Sequence, residues 1–87
     1  MSDFDFIKEF NNIKMNKICK DLGFNSANLS TGKISAENLR RVKNEILKKL
    51  LNLIVKDKED DLIVLYLYNE ILEKIEKENN LLKEMIK

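Results

Sequence analysis

The sequence predicts an all-α protein in which a small helical domain is followed by one long helix. Proline is absent from the 87 residues and glycine occurs only at positions 23 and 32, so few residues can interrupt a helix. Apolar residues recur every three to four positions through most of the chain, which is the period of an amphipathic helix. We expect a first domain at residues 1–56 and a C-terminal helix at residues 57–87.

Two short helices are predicted before the first glycine. The first runs from about Phe4 to Asn11, with Ser2 or Asp3 in position to cap its N-terminus. The second runs from about Lys14 to Leu22, and its apolar residues fall on one face. Gly23 follows it directly, at the usual place for a left-handed residue that ends a helix.

A third helix is predicted after this turn. Phe24 is expected to return the chain to the core. The helix then begins at Asn25 or Ser26, lasts for about two turns and ends at Gly32. Leu29 is its expected buried residue, so the remaining positions are free to face solvent or a ligand.

The fourth helix is the clearest amphipathic segment of the chain. Ser35 is a good N-cap, and the helix is expected to last to Val55 or Lys56. Its predicted buried face is formed by Leu39, Val42, Ile46, Leu50 and Leu53, widened by Leu47 and Ile54.

The last helix is expected to run from about Lys58 to Ile86, with Asp57 as its cap. Residues 62–68 are apolar on every side, which indicates either a helix buried all round or a strand. We favour the helix, because a helical pattern continues through residues 69–77 without a break. The strand remains the alternative.

A heptad repeat also runs along this helix. Its a and d positions, the predicted dimerisation residues, are Leu65, Tyr68, Leu72, Ile75, Asn79, Leu82 and Ile86. A polar Asn79 at an a position can pair with its copy across a parallel dimer and fix the register of the two helices. We therefore expect a homodimer. The alternative is an amphipathic helix that packs on its own domain.

Composition excludes several kinds of chemistry. The chain has no histidine and one cysteine, so it lacks the residues for a Cys/His zinc site or for nucleophilic catalysis with a histidine base. It has no glycine-rich phosphate loop, and the acidic run at residues 57–61 lacks the spacing of a calcium loop. We expect no enzymatic activity, no metal and no cofactor.

The single cysteine, Cys19, also bears on location. It precludes an intrachain disulfide and is expected to be a small buried apolar residue in a reducing compartment. The acidic N-terminus does not resemble a signal peptide, and no run approaches the ~20 apolar residues of a membrane span. We expect a cytoplasmic protein that does not associate with membranes.

The net charge of +1 conceals an asymmetry between the two parts of the chain. Residues 1–56 carry eleven Lys and Arg against six Asp and Glu, whereas residues 57–87 carry five against nine. A basic first part joined to an acidic second part is consistent with a nucleic-acid-binding face attached to a different kind of module.

The residue types within residues 15–34 follow a regular order. Aliphatic Ile18, small Cys19 and aliphatic Leu22 are followed by the turn glycine, Gly23. Apolar Phe24, a polar helix start at Asn25 and Ser26, and aliphatic Leu29 complete the pattern. Their spacing resembles the helix-turn-helix of the Cro/phage-repressor (XRE-like) superfamily, whose second helix enters the DNA major groove. The segment departs from the family pattern at Lys14, where a capping Thr or Ser is common, and in its shorter recognition helix.

The resemblance implies a sequence-specific DNA-binding regulator, in the first instance a repressor of phage or plasmid type, that binds two-fold sites on double-stranded DNA as a homodimer. The residues expected to contact base edges are Asn25, Ser26, Asn28, Ser30 and Thr31. The residues expected to contact phosphates are Lys17, Lys33, Arg40 and Arg41. Because this helix has no arginine to read guanine, an A·T-rich target is expected.

Two other functions remain open, because the segment from Asn25 to Thr31 contains no Lys or Arg. One is a protein partner: the chain would be a small helix-turn-helix inhibitor of a host defence nuclease, of the anti-CRISPR type, with the acidic C-terminal helix as its working surface. The other is a dimeric adaptor without a ligand.

Overall fold

The computed structural model describes residues 2–10, 13–23 and 25–85, and over these residues it consists of five α-helices and no strand. The helices are α1 (Asp3–Glu9), α2 (Met15–Leu22), α3 (Ser26–Ser30), α4 (Ala36–Lys56) and α5 (Leu62–Met85). The prediction of an all-α fold with a long C-terminal helix is confirmed.

Serine side chains begin α1 and α4 at the predicted positions. The Ser2 hydroxyl accepts a hydrogen bond from the Asp5 amide at 3.2 Å. The Ser35 hydroxyl accepts one from the Asn38 amide at 3.2 Å. Both contacts satisfy backbone amides that have no partner within the helix. The predicted end of α1, Asn11, lies outside the described residues.

The connection between α4 and α5 differs from the prediction. α4 ends at Lys56 as expected, but Asp57 is its C-cap and does not start the next helix. A turn follows, and the Asp61 carboxylate caps α5 by accepting hydrogen bonds from the amides of Ile63 and Val64 at 3.0 and 3.2 Å. Asp61 takes this role because it directly precedes the apolar run, so its side chain reaches the first free amides of α5.

The core forms around α4, which packs against α1, α2 and α5, while α3 packs against α2. Val42 and Ile46 are fully buried. The core cluster consists of Ile7, Met15, Ile18, Cys19, Leu29, Val42 and Ile46. Leu53 and Ile54, predicted on the same buried face, are exposed. The reason is that the helices packed against this face of α4 reach only as far as Leu50.

The apolar stretch at residues 62–68 is helical, so the strand alternative is wrong. The expectation that it is buried on all sides is also wrong, because Leu62, Ile63 and Tyr66 are largely exposed. Among the described residues, α4 is the one helix that packs extensively against α5, so only one side of α5 is covered.

The predicted heptad residues of α5 lie on the side that packs against α4 of the same chain. Ile75 is buried there. The partly buried heptad residues are Leu65, Tyr68, Leu72, Asn79 and Leu82. The Tyr68 hydroxyl donates a hydrogen bond to Asn52 on α4. Ile86 lies outside the described residues. This seam therefore joins α5 to α4, which matches the alternative of an intrachain packing face.

A buried polar contact fixes the position of α5 along α4. Asn44, only 3% exposed, donates from its amide nitrogen to Asn79 Oδ1 at 2.8 Å and to Glu78 Oε1 at 3.1 Å. A buried amide left without acceptors costs free energy, so α5 is held where these oxygens meet Asn44. Asn79 thus has its polar partner within the chain.

Arg40 connects three helices through ion pairs. Its guanidinium lies 2.6 Å from a Glu78 oxygen on α5 and 3.1 Å from an Asp3 oxygen on α1. Lys43 Nζ lies 3.1 Å from the same Asp3 oxygen. Since Arg40 belongs to α4, this network joins the first, fourth and fifth helices on the partly exposed rim of the core.

The network shifts the ionisation of both carboxyl groups toward the charged form. Partial burial of Asp3 opposes ionisation, but hydrogen bonds from Lys43 and Arg40 outweigh it and lower the pKa of Asp3. Hydrogen bonds from Arg40 and then from Asn44 lower the pKa of Glu78. Both groups therefore favour the folded state when they are ionised.

The midpoint temperature of thermal unfolding is expected to fall as the pH is lowered into the acidic range. Because the pKa values of Asp3 and Glu78 are lower in the folded chain than in the unfolded chain, the unfolded chain binds protons first, from about pH 4 downward. The stabilisation is complete at neutral pH and is lost as the pH falls through the folded-state pKa values. Glu78→Gln should make the acid decline shallower, as followed by circular dichroism melts over a pH series.

Glu73→Gln is the matched control for this test. Glu73 is an exposed carboxylate on the same helix and takes no part in the Arg40 network. This variant should keep the acid decline of the wild-type protein. An equal change in both variants would contradict the assignment of the decline to the network.

Candidate nucleic-acid interface

A left-handed glycine joins α2 to α3, as predicted. Gly23 has φ 88° and ψ 27°, and its amide donates to the Lys20 carbonyl at 3.1 Å. A Cβ atom added at Gly23 would meet nothing within 4 Å. The glycine is therefore required by its backbone conformation and not by a lack of space. The neighbouring Phe24, expected to return to the core, lies outside the described residues.

The inner face of α2 forms the base on which α3 rests. Ile18 and Cys19 are buried in the core, and Leu29 brings α3 into the same cluster. Burial raises the pKa of the Cys19 thiol, so this side chain is a neutral, small packing residue. Packing of Leu29 against this face fixes which positions of α3 remain outward.

α3 is shorter than the two turns predicted for it and comprises Ser26–Ser30. Asn25 is its N-cap, with Oδ1 accepting from the Ala27 amide at 2.9 Å. At the other end, the hydroxyls of Ser30 and Thr31 donate to the Ala27 carbonyl at 3.0 and 2.9 Å. These contacts hold together a helix that is too short to be stable by itself.

The five residues predicted to contact base edges therefore differ in their hydrogen-bonding capacity. Asn25 uses its carbonyl oxygen as a cap, and Ser30 and Thr31 use their protons on the backbone. Ser26 is half-buried, whereas Asn28 is exposed. Within the described part of the chain, the Asn28 side-chain amide forms no hydrogen bond, so both its donor and its acceptor are free for a ligand.

The four residues predicted to contact phosphates are also not equivalent. Lys17 and Lys33 are exposed. Arg41 is half-buried, and one guanidinium nitrogen donates to Asn38 Oδ1 at 3.2 Å. Arg40 differs from the other three, because Asp3 and Glu78 compensate its charge within the chain. Arg40 therefore serves the fold.

Two further lysines, which were not among the predicted contact residues, line depressions beside α3. Lys20 lines a surface depression of about 420 Å³ together with Asn16, Asn25 and Ser26. Lys8 lines a second depression, of about 390 Å³, that also includes Asn16 and Ser26. Lys20 could have been predicted from the sequence as a residue near α3. It lies three residues before the turn at Gly23, and one helical turn after Asn16 on the same side of α2. Lys8 could not have been predicted in this way, because it belongs to another helix.

The segments that flank α3 in the chain carry a net positive charge, although α3 itself is neutral. Residues 13–35 contain four lysines and a single acidic residue, Asp21. The Asn28 amide and the hydroxyl oxygens of Ser30 and Thr31 can form hydrogen bonds with a ligand, and the flanking lysines can bind negative charge. Together they suit a polyanion that also presents hydrogen-bonding groups. A nucleic-acid duplex has this chemistry.

No family model matches the chain, and no curated protein or solved structure matches it. Within residues 2–10, 13–23 and 25–85, no three His, Cys, Asp or Glu side chains are grouped so that they could hold a metal ion. Among the described helices, none is long and apolar enough to cross a membrane.

Substitution of Gly23 is expected to test the turn. Gly23→Ala should lower the free energy of unfolding by about 1 kcal/mol, because a side chain is strained at this positive φ. Gly23→Asn should cost less, since asparagine tolerates the left-handed conformation better. Urea unfolding measures both values. Stability of the alanine variant equal to wild type would contradict the described backbone.

Proposed function

We propose that this protein is a sequence-specific DNA-binding regulator in which α2, Gly23 and α3 form a helix-turn-helix and α3 enters the major groove. The observation that carries the proposal is the free side-chain amide of Asn28, exposed on α3, a helix flanked along the chain by segments that carry lysines. In such a motif the recognition helix presents its side chains to base edges while neighbouring segments contact the backbone.

Asn28 is the main base-reading residue in this proposal. An asparagine amide donates to adenine N7 and accepts from the adenine N6 amino group, which forms a bidentate pair. Ser30 and Thr31 retain hydroxyl lone pairs that accept hydrogen bonds from base amino groups. Since α3 carries no arginine for guanine, the preferred half-site contains A·T pairs.

Phosphate contacts in the proposal come from Lys17, Lys20, Lys33 and Arg41. Arg40 is left out because its charge is already compensated. Lys20 is added because it lines the same depression as Asn25 and Ser26, at the start of α3. Contacts of this kind fix the position of α3 on the duplex and make binding depend on salt.

Two copies of α3 are needed for useful affinity. A helix of five residues with one free amide offers few specific contacts, each worth about 1–3 kcal/mol of discrimination. A dimer presents two such helices to half-sites about one DNA turn apart and combines their contacts. Regulation of transcription at two-fold sites follows from this arrangement.

Asn28→Ala is expected to reduce binding to a duplex selected by the wild-type protein from a randomised pool. The loss should be about 1–3 kcal/mol per half-site, because one bidentate base contact disappears. Binding to an unrelated duplex should not change. Fluorescence anisotropy with both duplexes measures the difference, and Asn80→Ala, an exposed asparagine on α5, is the matched control. Failure to select any duplex, or unchanged affinity of Asn28→Ala, would overturn the proposal.

Lys20→Ala should weaken binding to both duplexes alike and reduce the salt slope by about 1, because it removes one phosphate contact. Lys83→Ala, which removes an exposed lysine from the last turn of α5 outside the lysines near Ser26, should leave the slope unchanged. A loss of sequence preference in Lys20→Ala would contradict its role as a phosphate contact.

A further inference from the structure

The outer side of α5, opposite the seam with α4, carries a cluster of exposed apolar residues in its first three turns and two more near its end. Their exposed fractions range from 42% to 79%. The outer face of α5 is defined here by Leu62, Ile63, Tyr66, Leu67, Ile71, Leu81 and Met85. Most of them cluster in the first three turns, where residues 63, 67 and 71 follow each other at helical spacing. The heptad seam is already occupied by α4, so this face is the part of α5 that remains free.

We infer that the outer face of α5 is the surface through which two copies of this chain form a dimer. The exposed apolar area of this face supports a second copy of the chain as its partner. At about 200 Å² for a fully exposed large side chain, the five residues in the first three turns, Leu62, Ile63, Tyr66, Leu67 and Ile71, present on the order of 600 Å² of apolar surface. That lies at the upper end of the roughly 300–600 Å² of the largest patch on a typical monomer and supplies most of the about 800 Å² that each partner buries in a standard interface.

Charge selects an antiparallel arrangement of the two α5 helices. The turn at residues 57–61, directly before α5, contains four acidic residues and one lysine. Parallel helices would place this turn beside its copy, where like charges repel. An antiparallel two-fold pairing instead separates the two acidic turns and carries each toward the middle of the other α5 helix, where Lys74 and Lys77 alternate with glutamates.

Ile63→Glu is the variant that tests this surface. Ile63 is 73% exposed and lies in the first turn of α5, where a glutamate suits the helix, so the fold should be kept. A two-fold interface repeats the substitution, so two unpaired charges would be buried. The dimer dissociation constant is expected to rise by about a hundredfold. Sedimentation equilibrium over a concentration series measures it, and the wild-type protein should reach twice the chain mass of 10.2 kDa.

Leu53→Glu is the matched control. Leu53 is 63% exposed, but it continues the stripe of Val42 and Ile46 on α4, away from the outer face of α5. This variant should dimerise like wild type, and circular dichroism should show equal helix content in both variants. A wild-type protein that stays monomeric would overturn the inference and favour a different protein partner for this face. Dissociation by Leu53→Glu with no effect of Ile63→Glu would overturn it as well.

The test of the dimer is independent of DNA binding, because the mass is measured without DNA. If the chain dimerises through α5 but selects no duplex, the proposed function fails and the interface remains. If both hold, Ile63→Glu should weaken binding to a two-fold site and leave binding to an isolated half-site unchanged.

Discussion

Burial of Val42 and Ile46 on α4 is the interaction on which the rest of the structure depends. Both side chains are completely removed from solvent, and few of the described side chains are buried to that degree. They form the surface against which α1 and α2 pack, and α2 in turn carries α3. Burying such side chains contributes about 1.5–3 kcal/mol each, which is a large share of the stability of a small domain. The short helices, each too short to persist alone, owe their order to this contact.

The candidate interface inherits its geometry from that core. α3 is a single helical turn and a half, and it is held by Leu29 inside, by Asn25 at its start and by Gly23 before it. These three constraints leave Asn28 outward with its amide free. The chain thus places a neutral hydrogen-bonding group on a fixed support and leaves positive charge to the segments around it, where phosphates would lie.

Contacts from the opposite side of α4 determine which side of α5 is buried. Arg40 and Asn44 bind Glu78 and Asn79, and this polar contact turns the heptad seam of α5 toward its own chain. A residue such as Asn79, which would set the register between two chains in a coiled coil, here sets the register between two helices of one chain. The same contact leaves the second apolar side of α5 uncovered, and the inferred dimer surface is its consequence.

Local patterns in the sequence determined the helices, most of their ends and the turn. Ser35 is a cap, Gly23 is left-handed, and Val42 and Ile46 are buried because each follows from neighbours within a turn or from the helical period. The exposure of Asn28 and Ser30 on α3 was also predictable, since Leu29 is the buried residue of that helix.

Only the tertiary structure decided which of these residues are free. Arg40 was a plausible phosphate contact until folding brought it to Asp3 and Glu78, which lie 37 and 38 positions away in the chain. Lys8 reached the edge of α3 in the same way. The period of α5 indicated which side of the helix packs but not what it packs against, because a heptad pattern is the same for a helix of the same chain and for a second copy. The partner of that side is α4, whose buried Asn44 amide meets Glu78 and Asn79, and a local pattern carries no record of such a partner.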